Sequence, residues 1–291
     1  MKRTNGERIF NVFNIIILTF TALISVYPLV YTLSLSLSSM AEASKIGFHI
    51  YPKEISLAAY KMVLAKEEVY TGYFNTVFRT VFGTVLTVTM TSMMAYPLSK
   101  PYMPNSRLYT LLLIFTMVFD AGMVPGYLLI KALHLQNNRL VYILPGLVGA
   151  YNIIVVKSYF KSLPASISES ARIDGANEFG ILFRIIMPLS KPVLATVAMW
   201  VAVAHWNTWI DSMLYMSDKN KQVLQIFLQR IVKENQSDLV ESSWMNASVT
   251  DYTAETVKSA TIIVSILPIL LVYPFIQKYF VKGIMLGSVK G

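Results

Sequence analysis

The chain is a succession of long apolar runs separated by shorter polar stretches. Six runs read as helices that cross a bilayer: about 9–37, 74–98, 108–133, 140–160, 193–211 and 259–280. A crossing helix needs roughly 20 mostly apolar residues, and several of the runs reach that length. The third is broken by Gly122, Pro125 and Gly126, so it reads as a shorter helix followed by a re-entrant or surface helix. Ahead of the first run stand Lys2, Arg3 and Arg8, and after it Ala41-Glu42-Ala43, the outline of a secretory signal. The apolar stretch is about twice the usual length for such a signal, so it reads as an uncleaved first span. The expected fold is an all-α membrane protein with six transmembrane helices. It forms a single domain over 1–291, with its core at about 74–280.

Composition agrees with lipid as the solvent. Hydrophobic residues make up 55% of the chain and charged ones 14%, against about 25% charged in soluble domains. The absence of cysteine excludes a disulfide framework and a thiolate metal site. His49, His134 and His205 are scattered, and neither paired carboxylates nor a nucleophile–base set stands out. Neither a catalytic constellation nor a metal site is expected. The net charge of +9 points to cytoplasmic anchoring rather than to nucleic acid. Six spans put both termini on one side. With that side cytoplasmic, segments 1–8, 99–107, 157–191 and 278–291 hold 13 Lys+Arg and 4 acidic residues, against 12 and 12 elsewhere. Charge density favours this orientation, because the outside segments are longer. Two of those, about 39–73 and 212–257, carry mixed charge that suits either a surface for a soluble partner or a solvated loop.

The stretch between the fourth and fifth runs, about 163–188, carries the most information. Ser166 and Glu169 stand at capping-box spacing, which predicts the start of a short helix. Gly175 suits its C-terminal end, where a left-handed residue is wanted. A second amphipathic stretch covers 179–186, and Pro188 and Pro192 lead into the fifth run. Ser170 and Ala171 are small, so another protein could approach the backbone closely. The same pattern fits a capped helix lying on the membrane.

Glu169, Ala171, Gly175, Ile185 and Pro188 match the spacing of the EAA loop, E-A-A-x3-G-x9-I-x-L-P, with Ser170 and Met187 as departures. By this loop the chain resembles the permeases of ABC importers. Ala171-Arg172-Ile173-Asp174-Gly175-Ala176 is similar to the version found in carbohydrate permeases of the maltose-transporter type. The likeness extends to Trp206-Asn207 and to the tail Tyr273-Pro274-Phe275-Ile276-Gln277-Lys278-Tyr279-Phe280-Val281-Lys282-Gly283, which resembles a branch often labelled LplC or YtcP. The resemblance implies a type I importer permease in a bacterial cytoplasmic membrane. Its cytoplasmic coupling helices would sit in a cleft of an ATPase, with Glu169, Ser170, Ala171, Asp174 and Gly175 at the contact and the tail near the ATPase dimer. It also implies a second, related permease, two ATPase subunits, a soluble solute-binding protein and an oligosaccharide substrate. This chain has no G-x-x-x-x-G-K-[ST] phosphate loop, so ATP and Mg would belong to the partner ATPases. ATP binding would close the ATPase dimer, draw the coupling helices inward and turn the cavity outward.

The spans themselves hold polar groups. Thr76, Thr80, Thr84, Thr87 and Thr91 fall on one helical face, with Asn75 and Arg79 at its outer end. The stripe fits helix packing through hydroxyls that bond their own backbone, and it also fits a translocation path. In the fifth run Trp200, Ala204, Asn207 and Asp211 share one face, and His205 and Trp209 another. Trp206, Asn207, Trp209 and Asp211 are the kinds of group that stack on and hydrogen-bond a sugar, although the tryptophans also fit an interfacial belt. Arg79 either snorkels to the surface or faces the cavity, where it would suit an acidic sugar. Asp120 is a candidate partner for it. The substrate-path candidates are thus Asn75, Arg79, Thr80, Thr84, Trp206, Asn207, Trp209 and Asp211. A permease for peptides or ions is the alternative within transport, and a membrane-embedded enzyme the alternative outside it.

Overall fold

A computed structural model describes residues 5–45, 47, 49–233 and 251–288. The described residues are helical, apart from loops and one isolated bridge between Ser38 and Ile55. They fall into two compact units, Met1–Val69 with Phe227–Pro268, and Tyr70–Ile226 with Ile269–Gly291.

In the first unit, α1 (Asn5–Ser36) follows from an unbroken apolar run. Its Thr21, Ser25 and Thr32 hydroxyls donate to carbonyls one turn back, so these side chains leave no free donor in an apolar helix. Two short helices follow, α2 (Met40–Ala43) and α3 (Ala58–Leu64), in a stretch that reads as loop from sequence. They are fixed by a Ser36–Tyr60 hydroxyl pair at 2.8 Å and by Ser39 donating to Glu54 at 3.0 Å. Residues 234–250 of the other long stretch lie outside the described residues.

The second unit begins along α4 (Glu67–Ser99). The run at 108–133 forms α5 (Ser106–Val118) and α6 (Met123–Ala132), bent by 111°. This is the interruption expected at Gly122, and Asp120 Oδ1 accepts the Gly122 N–H within it at 2.6 Å. The run at 140–160 departs from expectation. Only a 3-10 turn, Arg139–Tyr142, and α7 (Ala150–Ser162) are helical, because Pro145, Gly146 and Gly149 interrupt the apolar pattern. The chain then forms α8 (Ala165–Ile173) and α9 (Glu178–Leu189), the latter with a π-helical turn at Ile181–Ile186. A bend of 85° leads to α10 (Lys191–Asn207), followed by α11 (Ile210–Tyr215).

The core of this unit lies where α4, α7, α9 and α10 meet, around Ala95, Ile153, Val156, Ile181 and Val197. A second apolar cluster holds Ile130, Val141, Tyr142, Met216 and Val223. Two helices complete the chain: α12 (Leu224–Lys233) and α13 (Ala254–Ser288). The tail run 273–283 lies on the α13 backbone, and apart from Pro274 its side chains lie outside the described residues.

Among the described residues three helical stretches are long and apolar enough to cross a membrane: Ile9–Ser36, Glu67–Ser99 and Ala254–Val272. The number rises to five if each bent pair is one span.

Candidate functional site

Polar groups run along α4, and toward its two ends they are tied to different parts of the second unit. At the N-terminal end Asn75 is fully buried. Its Nδ2 donates to the carbonyls of Asn220 and Gln222, both at 2.9 Å, and its Oδ1 accepts from Arg139 Nε at 2.7 Å. Thr76 accepts the Leu224 N–H at 2.9 Å. These bonds take up the amide of Asn75 and hold the 220–224 segment on the helix.

One turn on, Arg79 forms a fork with Asp211. Nη1 meets Oδ1 at 3.1 Å, Nη2 meets Oδ2 at 2.5 Å, and Nη1 also donates to the Thr208 carbonyl at 3.0 Å. Two parallel charge-assisted bonds are the strong geometry for this pair. The guanidinium lies 4.7 Å from the Tyr142 ring. The Tyr142 hydroxyl in turn donates to the Lys221 carbonyl at 2.8 Å and pairs with the Ser212 hydroxyl at 3.0 Å. Two sequence expectations change here. The carboxylate beside Arg79 is Asp211 rather than Asp120, and Arg79 is buried by protein instead of snorkelling. Asp211 also leaves the face it was expected to share with Trp200, Ala204 and Asn207. The chain becomes extended at Thr208, and Asp211 sits in the first turn of α11.

Between the ends runs the threonine stripe. The hydroxyls of Thr80, Thr84, Thr87 and Thr91 are enclosed, with no hydrogen-bond partner among the described residues. Thr89 and Ser92 on the same helix return to the Val85 and Val88 carbonyls, as helix hydroxyls usually do. Gly83 interrupts the side chains of α4 where the His205 ring comes against it. A Cβ at Gly83 would lie 2.4 Å from His205 Nε2. Next to His205, Trp206 is buried edge-on against Tyr73 at 6.4 Å, which sets it apart from an interfacial belt. Asn207 is exposed and Trp209 half-buried.

The C-terminal end of α4 meets the loop singled out in the sequence. Here α8 starts at Ala165 with Pro164 in the capping position, so Ser166 makes no capping box. Proline already has the φ this position uses, −57°, and the cap lies two residues earlier. The other end behaves as expected. Gly175 has φ +81°, the Ala176 N–H reaches the Ala171 carbonyl at 2.9 Å, and the Gly175 N–H reaches Arg172 at 3.0 Å. These are the two bonds of a Schellman turn. Glu169, Ser170, Asp174 and Gly175 are exposed, and Ala171 is buried beneath them.

Sequence reasoning missed the ties behind this loop. Glu178 accepts from Arg172 Nε at 2.8 Å and from the Tyr96 hydroxyl at 2.6 Å. Arg172 also donates to the Tyr102 hydroxyl. Lys100 donates to Ser168 at 2.7 Å and lies 4.6 Å from the Tyr96 ring. Burial, with the Arg172 charge adding to it, holds the Lys100 ammonium below the usual lysine range.

Known proteins resemble this chain over nearly its whole length. The chain is 37% identical over 291 residues to the polygalacturonan/rhamnogalacturonan transport system permease protein YtcP of Bacillus subtilis, covering 98% of this chain and 99% of that one. It is 38% identical to protein LplC of the same organism, covering 100% and 98%. A solved bacterial ABC transporter involved in the import of the acidic polysaccharide alginate contains a chain that superposes with a TM-score of 0.89 at 37% identity, covering 96% of this chain and 99% of that one. Residues 69–286, which include Asn75, Arg79, the threonine stripe and the whole helix–glycine–helix loop, match the family of binding-protein-dependent transport system inner membrane components, and the chain belongs to that family.

Proposed function

We propose that this chain is one permease subunit of an ATP-driven bacterial importer for acidic oligosaccharides. The observation that carries the reading is its full-length likeness to permeases named for pectin-type polymers and for alginate, whose shared chemical feature is a uronic-acid carboxylate. Its partners are a second related permease, two ATPase subunits that bind ATP and Mg, and a soluble solute-binding protein. The chain makes six crossings with both termini in the cytoplasm. The three long helices and two bent pairs account for five. The sixth uses α7, whose 13 residues rise only about 20 Å, together with the non-helical stretch before it.

Glu169, Ser170, Ala171, Asp174 and Gly175 form the ATPase contact, because four of them are exposed around a fixed glycine turn and Ala171 seats the helix from below. Thr80, Thr84, Asn207 and Trp209 line the path. The two threonine hydroxyls have no protein partner among the described residues, and Asn207 is exposed. Asn75, Arg79, Asp211 and Trp206 frame that path through the bonds and packing they make. The acidic-substrate reading rests on the relatives, since Arg79 is already occupied by Asp211.

The test is reconstitution of the permease pair and binding protein in vesicles with and without the ATPase. Uptake of a galacturonic-acid trimer that requires both ATP and the ATPase supports the reading, and equal uptake without the ATPase overturns it. Orientation is checked with Ser166→Cys in this cysteine-free chain. Ser166 is exposed, whereas Ser168 is buried against Lys100 and would report poorly. Labelling by an impermeant reagent added outside intact cells would contradict a cytoplasmic loop.

A further inference from the structure

We infer that Glu178 is a positioning residue that locks the coupling helix α8 to the C-terminal end of α4, so that the two move as one body. The inference rests on the permease reading above, and it adds the route by which motion at the ATPase contact reaches the polar helix.

Glu178 is placed to bridge two elements. It lies in the first turn of α9, where a carboxylate is favoured by the helix dipole, and Asn177 caps that turn by accepting the Gly180 N–H at 2.7 Å. One of its oxygens accepts from Arg172 at the end of α8, and the other accepts from Tyr96 in the last turn of α4. Tyr96 is 82 residues away in sequence and is buried. A single side chain therefore joins the helix that carries the exposed contact residues to the helix that carries Asn75, Arg79 and the threonine stripe. Lys100, the residue just past α4, makes a second tie to Ser168 on α8 at 2.7 Å.

Packing covers one side of this joint, where Tyr96, Leu98, Ala171 and Leu182 share the core. A cavity of about 290 Å³ lies between the end of α4 and α9, lined by Met93, Pro97, Lys100, Phe179 and Leu182 along with Tyr96 and Glu178. Apolar contact across such a gap is incomplete and non-directional. Hydrogen bonds of defined geometry set the register where packing leaves it loose. The Schellman bonds around Gly175 close this same end of α8, so the backbone beside Arg172 is fixed.

The test uses the assembled complex with cysteine-free partner subunits and two spin labels in this chain, one at Ser166→Cys on α8 and one at Met94→Cys on α4. Both sites are exposed in this chain. The wild type is expected to give one inter-label distance of unchanged width with and without ATP. Glu178→Ala is expected to broaden it or add a second population on ATP binding, and to cut sugar imported per ATP hydrolysed by about 3–30-fold. Glu178→Gln keeps one acceptor oxygen for Arg172 while its amide N–H can donate to the Tyr96 hydroxyl, and is expected to restore most of both. Tyr96→Phe removes one tie without removing the ring, and is expected to broaden the distance less than Glu178→Ala. An unchanged single distance in both Glu178→Ala and Tyr96→Phe overturns the inference. If wild-type ATP turnover drives no uptake of the galacturonic-acid trimer, the substrate or transport reading fails instead, and the distances still decide the role of Glu178.

Discussion

At the N-terminal end of α4 the side chains of Arg79 and Asp211 are 3% and 20% exposed; at its C-terminal end those of Arg172 and Glu178 are 34% and 51% exposed. Both are arginine–carboxylate pairs, yet burial gives them different work. A buried pair resists separation, because removing one partner strands a charge in low dielectric, at a cost of about 3–5 kcal/mol. A pair open to water contributes about 0–1 kcal/mol, so it sets geometry while adding little to stability. The buried fork, with Thr208, Tyr142 and Ser212 around it, fixes the junction of α10 and α11 against α4. The exposed pair holds a joint that lies beside a cavity and next to the expected ATPase contact.

Breaking the buried pair is the largest expected effect. Asp211→Ala should lower stability by about 3–5 kcal/mol, read as a fall in detergent thermal midpoint and in yield of folded protein. The double variant Arg79→Met with Asp211→Leu removes both charges and should recover much of that loss. An unshifted midpoint for Asp211→Ala would mean that the fork is not what holds this end.

The close approach midway along α4 comes next. Gly83→Val forces a side chain into the His205 ring and should cost about 1–3 kcal/mol by overpacking. Adding His205→Ala should relieve it, and failure of that rescue would locate the strain elsewhere.

Gly175→Asp should have a smaller effect on stability, of about 1–2 kcal/mol for a non-glycine residue at φ +81°, while membrane insertion is retained. Its functional effect should be large, with ATP hydrolysis continuing and uptake lost. Normal uptake would separate Gly175 from coupling.

The smallest effect on stability belongs to the stripe. Thr87 and Thr91 hydroxyls have no partner among the described residues, so valine, of similar shape, should leave the thermal midpoint unchanged or raise it slightly. A marked drop would reveal a partner for these hydroxyls in the assembled transporter.

Much of this molecule is legible from pattern. The runs that become α1, α4 and α13 are long and apolar, and lipid demands little else of a crossing helix. The break after α5 is marked by Gly122 and Pro125, and the end of α8 by Gly175, residues whose backbone chemistry shows locally. The helix start at Ala165 was misplaced because Ser166 and Glu169 mimic a capping box, while Pro164 already had the backbone φ for the role. The turn at Thr208 was invisible, since neither glycine nor proline marks it, and Asp211 was therefore assigned to the wrong face. The partners Arg79–Asp211 and Tyr96–Glu178 lie 132 and 82 residues apart. No local spacing rule reaches that far, and only the packing of the helices brings these groups together.

The central claim is that this chain serves ATP-driven import of a carboxylate-bearing oligosaccharide. It is tested most directly by uptake into vesicles holding the complete complex, comparing a galacturonic-acid trimer with a neutral trisaccharide of equal length. The account predicts saturable, ATP-dependent entry of the acidic trimer and little entry of the neutral one. Entry of the neutral sugar alone, or ATP-independent entry of both, would contradict it.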